Sequence, residues 1–356
     1  MKIGKTCHKM LLFVKEELMM SRMPSHKHAH TDARPHDRAH THGVVDPSIF
    51  TSQRGIWALK WSLFGLLATA MFQVVIVSLS GSVALLADTT HNIGDALTAV
   101  PLWIAFSLAR LKPNKRFTYG YGRVEDLAGV AIVLAILLSA VVAGYESINR
   151  FFHPQEIKYL WAVVVASIIG FAGNEAVAIL RIKVGKEIGS AALVADGYHA
   201  QADGLTSLAV LLGVVGVWLG YPLADPIVGL LITAAILGIV WESGRPVFIR
   251  LLDGVDPEII DEIGHAVNHT LGVQEVSEVR VRWLGHRLHA ELNIAVASEL
   301  LVEEGHEIAK RVRHQLLHHL DYLSDAIIHV DPVDASGQKY HRIAEHEHDG
   351  LPAHVH

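Results

Sequence analysis

Two stretches of apolar chain carry the same three ionisable side chains at the same spacing. Residues 87 to 98, ADTTHNIGDALT, and residues 195 to 206, ADGYHAQADGLT, both read A-D-x-x-H-x-x-x-D-x-L-T. Offsets of three and four place Asp88, His91 and Asp95 on one stripe of a helix, and Asp196, His199 and Asp203 on one stripe of another. Each helix can then aim an imidazole and a carboxylate at a common point. Two neutral imidazole nitrogens and two carboxylate oxygens, at about 2.0 to 2.2 Å, form the four-coordinate tetrahedral shell that suits Zn²⁺. With no cation bound, protons can occupy some of the same atoms, since imidazole titrates near neutrality. Competition of metal and proton for one site is the physical basis of antiport.

The elements that must hold these residues are membrane spans. Of the 356 residues 51% are apolar, and the mean hydropathy is positive, +0.33, a balance that suits a membrane protein better than a soluble one. A hydrocarbon core about 30 Å thick needs about 20 apolar residues in a helix. Six windows qualify, at roughly 61 to 80, 83 to 109, 127 to 147, 160 to 180, 191 to 220 and 222 to 241. The first motif falls in span two and the second in span five. Consecutive spans alternate in direction, so these two helices run antiparallel and their HxxxD pairs can meet near the midplane, where transporters place substrate.

Loop charge gives the orientation. Arg110, Lys112, Lys115, Arg116 and Arg123 follow span two, and Arg181, Lys183 and Lys186 follow span four, whereas the opposite side holds only Arg150 and Lys158. Both termini are expected in the cytoplasm. The early run MLLFVKEELMM is broken by Lys15, Glu16 and Glu17 and reads as neither a spanning helix nor a good signal peptide. A net charge of −6 offers no basic field for nucleic acid. Cys7 is the one cysteine, which rules out an intramolecular disulfide and a cysteine-rich zinc site.

An aspartate at the bilayer centre costs roughly 2.5 to 3.5 kcal/mol, and a divalent cation neutralises two of them. The competing reading makes each His and Asp a polar link between helices; six residues in duplicated register favour the metal. Asp88 and Asp196 lie one turn N-terminal to the histidines, as relay or entry groups or as ordinary polar partners. Asn174 reads as a packing hydrogen bond within span four, Glu175 as a candidate for a proton path, and Glu146 as an interfacial group. Pro101 and Pro226 suggest kinks or close packing.

Four domains follow: a His-rich disordered tail over 1–54, the six-span transport domain over 55–248, a small soluble domain over 249–335, and a second His-rich tail over 336–356. The tails are polar and lack the apolar residues needed to fold. His26, His28 and His30, with His346 and His348, offer imidazoles for weak metal capture, against solvated tails with no metal role. In the soluble domain a helix precedes the alternating strands VSEVRVRWL and RLHAELNIAVA, then a second helix and the strand DAIIHVDP. The order αββαβ predicts an open α+β sandwich.

The paired motifs HNIGD and HAQAD, the loop RFTYGYGRVEDLAGV and the ending AIIHVDP together resemble the cation diffusion facilitator family of zinc-type efflux transporters, over about residues 55 to 333. The resemblance implies a homodimer that exchanges cytoplasmic Zn²⁺, possibly Cd²⁺, for protons, with His91, Asp95, His199 and Asp203 as the transport site. It implies a metallochaperone-like fold for the soluble domain, with His306, His329 and Asp331 at metal-ligand positions. Asn293 stands at a further ligand position and is a poor zinc ligand, with His289 as a substitute. Some relatives hold another zinc with loop histidines, where this chain has Phe117 and Tyr121; Tyr119, Tyr121 and the loop glycines read as structural. Arg123 and Asp253 resemble a charge pair that links the membrane and soluble halves.

Other functions remain as alternatives. One is transport of a different divalent ion, Co²⁺, Ni²⁺, Fe²⁺ or Mn²⁺. An intramembrane zinc hydrolase would need an open coordination position and a general base, commonly on an HExxH helix, and the chain has no HExxH. A membrane-anchored metal sensor would have no use for charged residues at the midplane. The reading is therefore a transporter and not an enzyme.

Overall fold

A computed structural model describes residues 47–80, 99–153, 160–221, 223–320 and 322–337. Asp88, His91, Asp95, Lys158 and the tail residues 1–46 and 338–356 lie outside the described residues, whereas residues 47–54, expected in the first tail, are helical. Among those described, five helices are long and apolar enough to cross a membrane: α1 (Pro47–Ser80), α3 (Arg123–Phe152), α4 (Leu160–Glu187), α5 (Ala191–Trp218) and α6 (Ala224–Leu251). A shorter apolar helix, α2 (Ala99–Ala109), is the described part of the expected second span. The bundle inverts the soluble pattern. Phe64, Phe72, Leu138, Trp161 and Leu231 point outward and are more than half exposed, while the interior packs around Leu102, Phe106, Ile136, Leu193 and Ile236. An outward apolar surface of this kind is stable only against lipid.

Helix ends follow local chemistry. Glu125 and Asp126 stand in the first turn of α3 and Arg150 in its last, each favourably placed in the helix dipole. Ser190 caps α5, its Oγ accepting from Leu193 N at 3.0 Å. Gly189, at φ +68°, ends α4 in the left-handed conformation that glycine tolerates, so α4 and α5 form a tight antiparallel hairpin. Sequence reading places Arg181, Lys183 and Lys186 in a loop after span four; α4 instead stays helical to Glu187. For Arg181 the physical reason is a partner inside the bundle. Pro246 lies inside α6 and Pro101 near the start of the described part of α2, whereas Pro226 sits in the first turn of α6, where its missing N–H costs nothing.

The C-terminal domain runs α7 (Pro257–Asn268), β1 (Glu275–Leu284), β2 (Arg287–Val296), α8 (Val302–His319) and β3 (Leu323–Pro332), the expected αββαβ order. The sheet order is β1-β2-β3, with β1 antiparallel and β3 parallel to β2. Burial alternates along β2, and Leu288, Leu292 and Ile294 pack with Ile263 and Val267 of α7 and Val312 and Leu316 of α8. Asp256 caps α7, with Pro257 at its first position.

This domain is plugged into the end of the helix bundle by one hairpin tip. Leu284 pairs with Arg287 across the two-residue turn Gly285-His286, and Gly285 takes φ +66°. A side chain at Gly285 would meet Glu125 Oε2 at 2.7 Å and Gly122 O at 2.8 Å, so only glycine fits. The His286 ring, fully enclosed, donates from Nδ1 to Glu125 Oε2 at 2.6 Å, and its Nε2 accepts from the Ser52 hydroxyl of α1 at 3.1 Å. Ser190 Oγ donates to the other Glu125 oxygen at 2.5 Å, and Gly285 N donates to Asp126 Oδ2 at 3.2 Å. Arg287 donates to Ala109 O at 2.9 Å, and Arg250 lies 4.0 Å over the Trp283 ring while donating to Gly189 O. Arg123 contacts Asp253 directly and donates to Arg250 O at 3.2 Å. In the loop before α3, Asn114 accepts from the Arg116 and Phe117 amides, and its side-chain amide donates to the Tyr121 hydroxyl at 2.7 Å. Arg282 of β1 stacks over Tyr119 at 4.7 Å.

Removing the imidazole would leave the buried Glu125 carboxylate without its hydrogen-bond partner, and an uncompensated buried charge costs about 3 to 5 kcal/mol. His286→Ala is therefore expected to lower the thermal midpoint of the detergent-purified protein and to open the 252–256 connection to limited proteolysis. Replacing both partners, as Glu125→Gln with His286→Gln, should recover part of the loss. An unchanged melting curve for His286→Ala would mean that the hairpin tip does not carry the junction.

Candidate metal site

On α5 the second motif forms a polar stripe along an apolar helix. Asp196, His199, Asp203 and Ser207, at offsets of three, four and four, are all buried, between 0% and 8% exposed. His199 Nδ1 and Asp203 Oδ1 are 3.9 Å apart: near enough to share a small cation, too far for a hydrogen bond. At 1.5 Å per residue from Ala191, His199 sits about 12 Å and Asp203 about 18 Å into the helix. The stripe faces neighbouring helices. A side chain at Gly170 of α4 would touch both Ser207 Oγ at 2.9 Å and Gln73 Nε2 of α1 at 3.1 Å, so α1, α4 and α5 meet there. Asn174 of α4, also buried, lies against Gly204 of α5. His91 and Asp95 lie outside the described residues, as does Asp88.

The closest approach of α4 and α5 is at the end nearer the C-terminal domain. A side chain at Gly197 would meet Ile182 Cγ1 at 2.5 Å, and one at Gly185 would meet Val194 Cγ2 at 2.8 Å. Bare backbone at these positions brings the helices together, and a long side chain bridges them: Arg181 Nη1 stands 3.1 Å from Asp196 Oδ2, with 1% and 0% of the two side chains exposed. Sequence reading treats Asp196 as a relay, entry or polar group and misses Arg181. Its position at the end of an apolar run resembles any loop cation.

Other expected residues take these places. Arg123 and Asp253 are in contact, Asp253 in the left-handed conformation at φ 60°. His329 Nε2 and Asp331 Oδ1 are 2.9 Å apart on β3. Asn293 pairs with His329 across β2 and β3 and with Glu278 across β1 and β2, and its amide nitrogen lies 3.5 Å from Glu278 Oε2. His306 is exposed on α8, and His289 is bonded to Ser324 Oγ at 3.1 Å. Among the described residues of one chain, no three His, Cys, Asp or Glu side chains are grouped to hold a metal. Near the far end of α3, Arg150 lies 3.9 Å from Glu146 and 3.2 Å from Asp225 of α6. Glu125, Ser52 and His286 also escape sequence reading. The available signals are an acidic pair directly after a glycine loop, in GRVED, and a histidine inside a two-residue strand turn, in LGHR.

Comparison with known proteins agrees with this arrangement. Residues 59–252 match the model of the cation efflux transmembrane domain, and residues 255–333 match the cation efflux protein cytoplasmic domain. A probable cation efflux system protein of Mycobacterium tuberculosis is 51% identical over 321 residues, covering 87% of this chain and 96% of that protein. A cadmium, cobalt and zinc/H(+)-K(+) antiporter of Bacillus velezensis is 28% identical, covering 67% of this chain and 77% of that one. Among solved structures, the MamM CTD in a manganese form is 25% identical, covers 21% of this chain and 96% of its own, and has a TM-score of 0.21. Two contiguous family matches, the duplicated motif and a helix bundle joined to an αββαβ domain lead to one conclusion: the chain belongs to the cation diffusion facilitator family of cation efflux transporters.

Proposed function

We propose that this transporter exports Zn²⁺ from the cytoplasm in exchange for protons. His91 and Asp95 of the second span and His199 and Asp203 of α5 form its tetrahedral transport site, and both termini face the cytoplasm. The observation that carries the reading is the burial of His199 and Asp203 on one face of an apolar helix, 2% and 8% exposed, within a motif that the chain repeats at Asp88, His91 and Asp95. Two aspartates and a divalent cation sum to zero charge, which removes the penalty of holding carboxylates in hydrocarbon. Two imidazoles favour a borderline-soft ion such as Zn²⁺ over harder ions that prefer oxygen. When the metal leaves, protons take over part of the same donor set, which couples the two fluxes.

A metal choice that includes Cd²⁺ and Co²⁺ is the second reading, favoured by the name of the Bacillus velezensis relative. His329 and Asp331, near each other on β3, are proposed to serve with His306 as a further metal site across a homodimer of C-terminal domains. Arg123 and Asp253 couple that domain to the membrane helices.

Purified protein in proteoliposomes should carry Zn²⁺ against a proton gradient. Asp203→Ala is expected to abolish that flux while the protein still elutes and melts as the wild type does; transport retained by this variant would remove the site. His91→Asp exchanges a nitrogen donor for a harder oxygen and should broaden selection, so that Mn²⁺ competes with Zn²⁺ where it does not in the wild type. An unchanged competition profile across Zn²⁺, Cd²⁺, Co²⁺ and Mn²⁺ would reject the assignment of His91 as a ligand.

A further inference from the structure

Arg181 is the largest fully buried side chain among the described residues. It lies six residues from the end of α4, about 9 Å inside the helix end nearer the C-terminal domain. Its Nη1 is 3.1 Å from Asp196 Oδ2 and 3.4 Å from the Asp196 carbonyl. The contact is one of charge more than of direction. Neither Asp196 oxygen accepts a well-directed hydrogen bond, and Arg181 Nε and Nη2 have no partner among the described residues. A guanidinium held in an apolar bundle with two idle donors is a poor structural tie, because unsatisfied buried polar groups are costly. Asp196, in turn, stands one turn from His199 and two turns from Asp203 on the same stripe, between them and the C-terminal domain end of the bundle.

We propose that Arg181 is a built-in counter-cation for Asp196. It cancels that carboxylate on the approach to the transport site, so that the divalent ion passes Asp196 and is held deeper, by His199 and Asp203. The inference rests on the transport reading above and adds a residue pair to it. Without Arg181, Asp196 is a third negative group within about 5 to 10 Å of the ion, and it holds the metal back. Without Asp196, Arg181 is an unmasked positive charge that opposes metal entry. A +2 ion and a single charge about 10 Å apart interact enough to change affinity about fourfold even at the dielectric of water, and more in the bundle.

The two single neutralisations therefore act in opposite directions, which loss of a purely structural tie does not produce. Zinc flux into inside-out proteoliposomes is measured as KM and kcat for the wild type and for Arg181→Gln, Asp196→Asn, Arg181→Lys and the double variant R181Q/D196N. Asp196→Asn is expected to raise KM about fourfold or more. Arg181→Gln should lower KM by a similar factor and lower kcat as release slows. Arg181→Lys, which keeps the charge, should stay within about twofold of the wild-type KM, as should the double variant. Shifts of both single variants in the same direction, or no shift in either, would overturn the proposal. If the singles do not survive purification, the neutral double variant decides: a wild-type KM supports charge cancellation, and a rise beyond about fivefold overturns it. A wild type that carries no divalent metal would instead defeat the transport reading itself.

Discussion

Charge inside an apolar helix bundle must be cancelled where it stands, because burying an unpaired ion at low dielectric is costly. Three solutions occur along the path from the C-terminal domain into the helices. At the junction, Glu125 is matched by an imidazole that a separate domain inserts. One turn into the bundle, Asp196 is matched by Arg181. Deeper, His199 Nδ1 and Asp203 Oδ1 lie 3.9 Å apart, near enough to share an ion. The sequence of partners runs from strongly hydrogen-bonded, to ionic but poorly directed, to a pair 3.9 Å apart.

The junction ties domain position to helix position through side chains from several elements. Ser52 belongs to α1, Ala109 to α2, Glu125 to α3, and Ser190 caps α5; all four bond to the His286 tip or to its immediate neighbours. A shift of α3 relative to α5 must stretch the Ser190 to Glu125 bond or move the hairpin. Conversely, a change in the C-terminal domain acts on helix ends about 12 to 18 Å from His199 and Asp203 along α5. Coupling of this kind needs no long pathway, only a rigid hairpin and a glycine tip that leaves no slack.

The parts legible in sequence are those set by periodicity and by repetition. Apolar windows marked the spans, alternation marked β1 and β2, and the repeated D-x-x-H-x-x-x-D marked the stripe on α5, because each depends on residues close together in the chain. Arg181 reads from sequence as a loop cation, since its partner lies fifteen residues away across a turn and positive loop charge is the commoner reason for an arginine at a span end. His286 and Glu125, 161 residues apart, leave no local pattern. Their pairing exists only once the hairpin has docked. The expected contact of Arg123 with Asp253 came from family resemblance, and no rule of spacing would have supplied it.

The duplication that draws attention to the site is incomplete, and the incompleteness is informative. Fifteen residues before Asp196 stands Arg181, whereas fifteen residues before Asp88 stands Gln73. Gln73 is fully buried in α1 and lies with Ser207 beside Gly170, so this position too is directed into the bundle, but with a neutral amide. The two copies of the motif are thus alike in sequence in their histidine and aspartate residues, whereas the position fifteen residues ahead of each carries an arginine in one and a neutral amide in the other. Arg181 sets a full positive charge against Asp196 in the buried interior of the bundle, whereas Gln73 brings a buried amide with none.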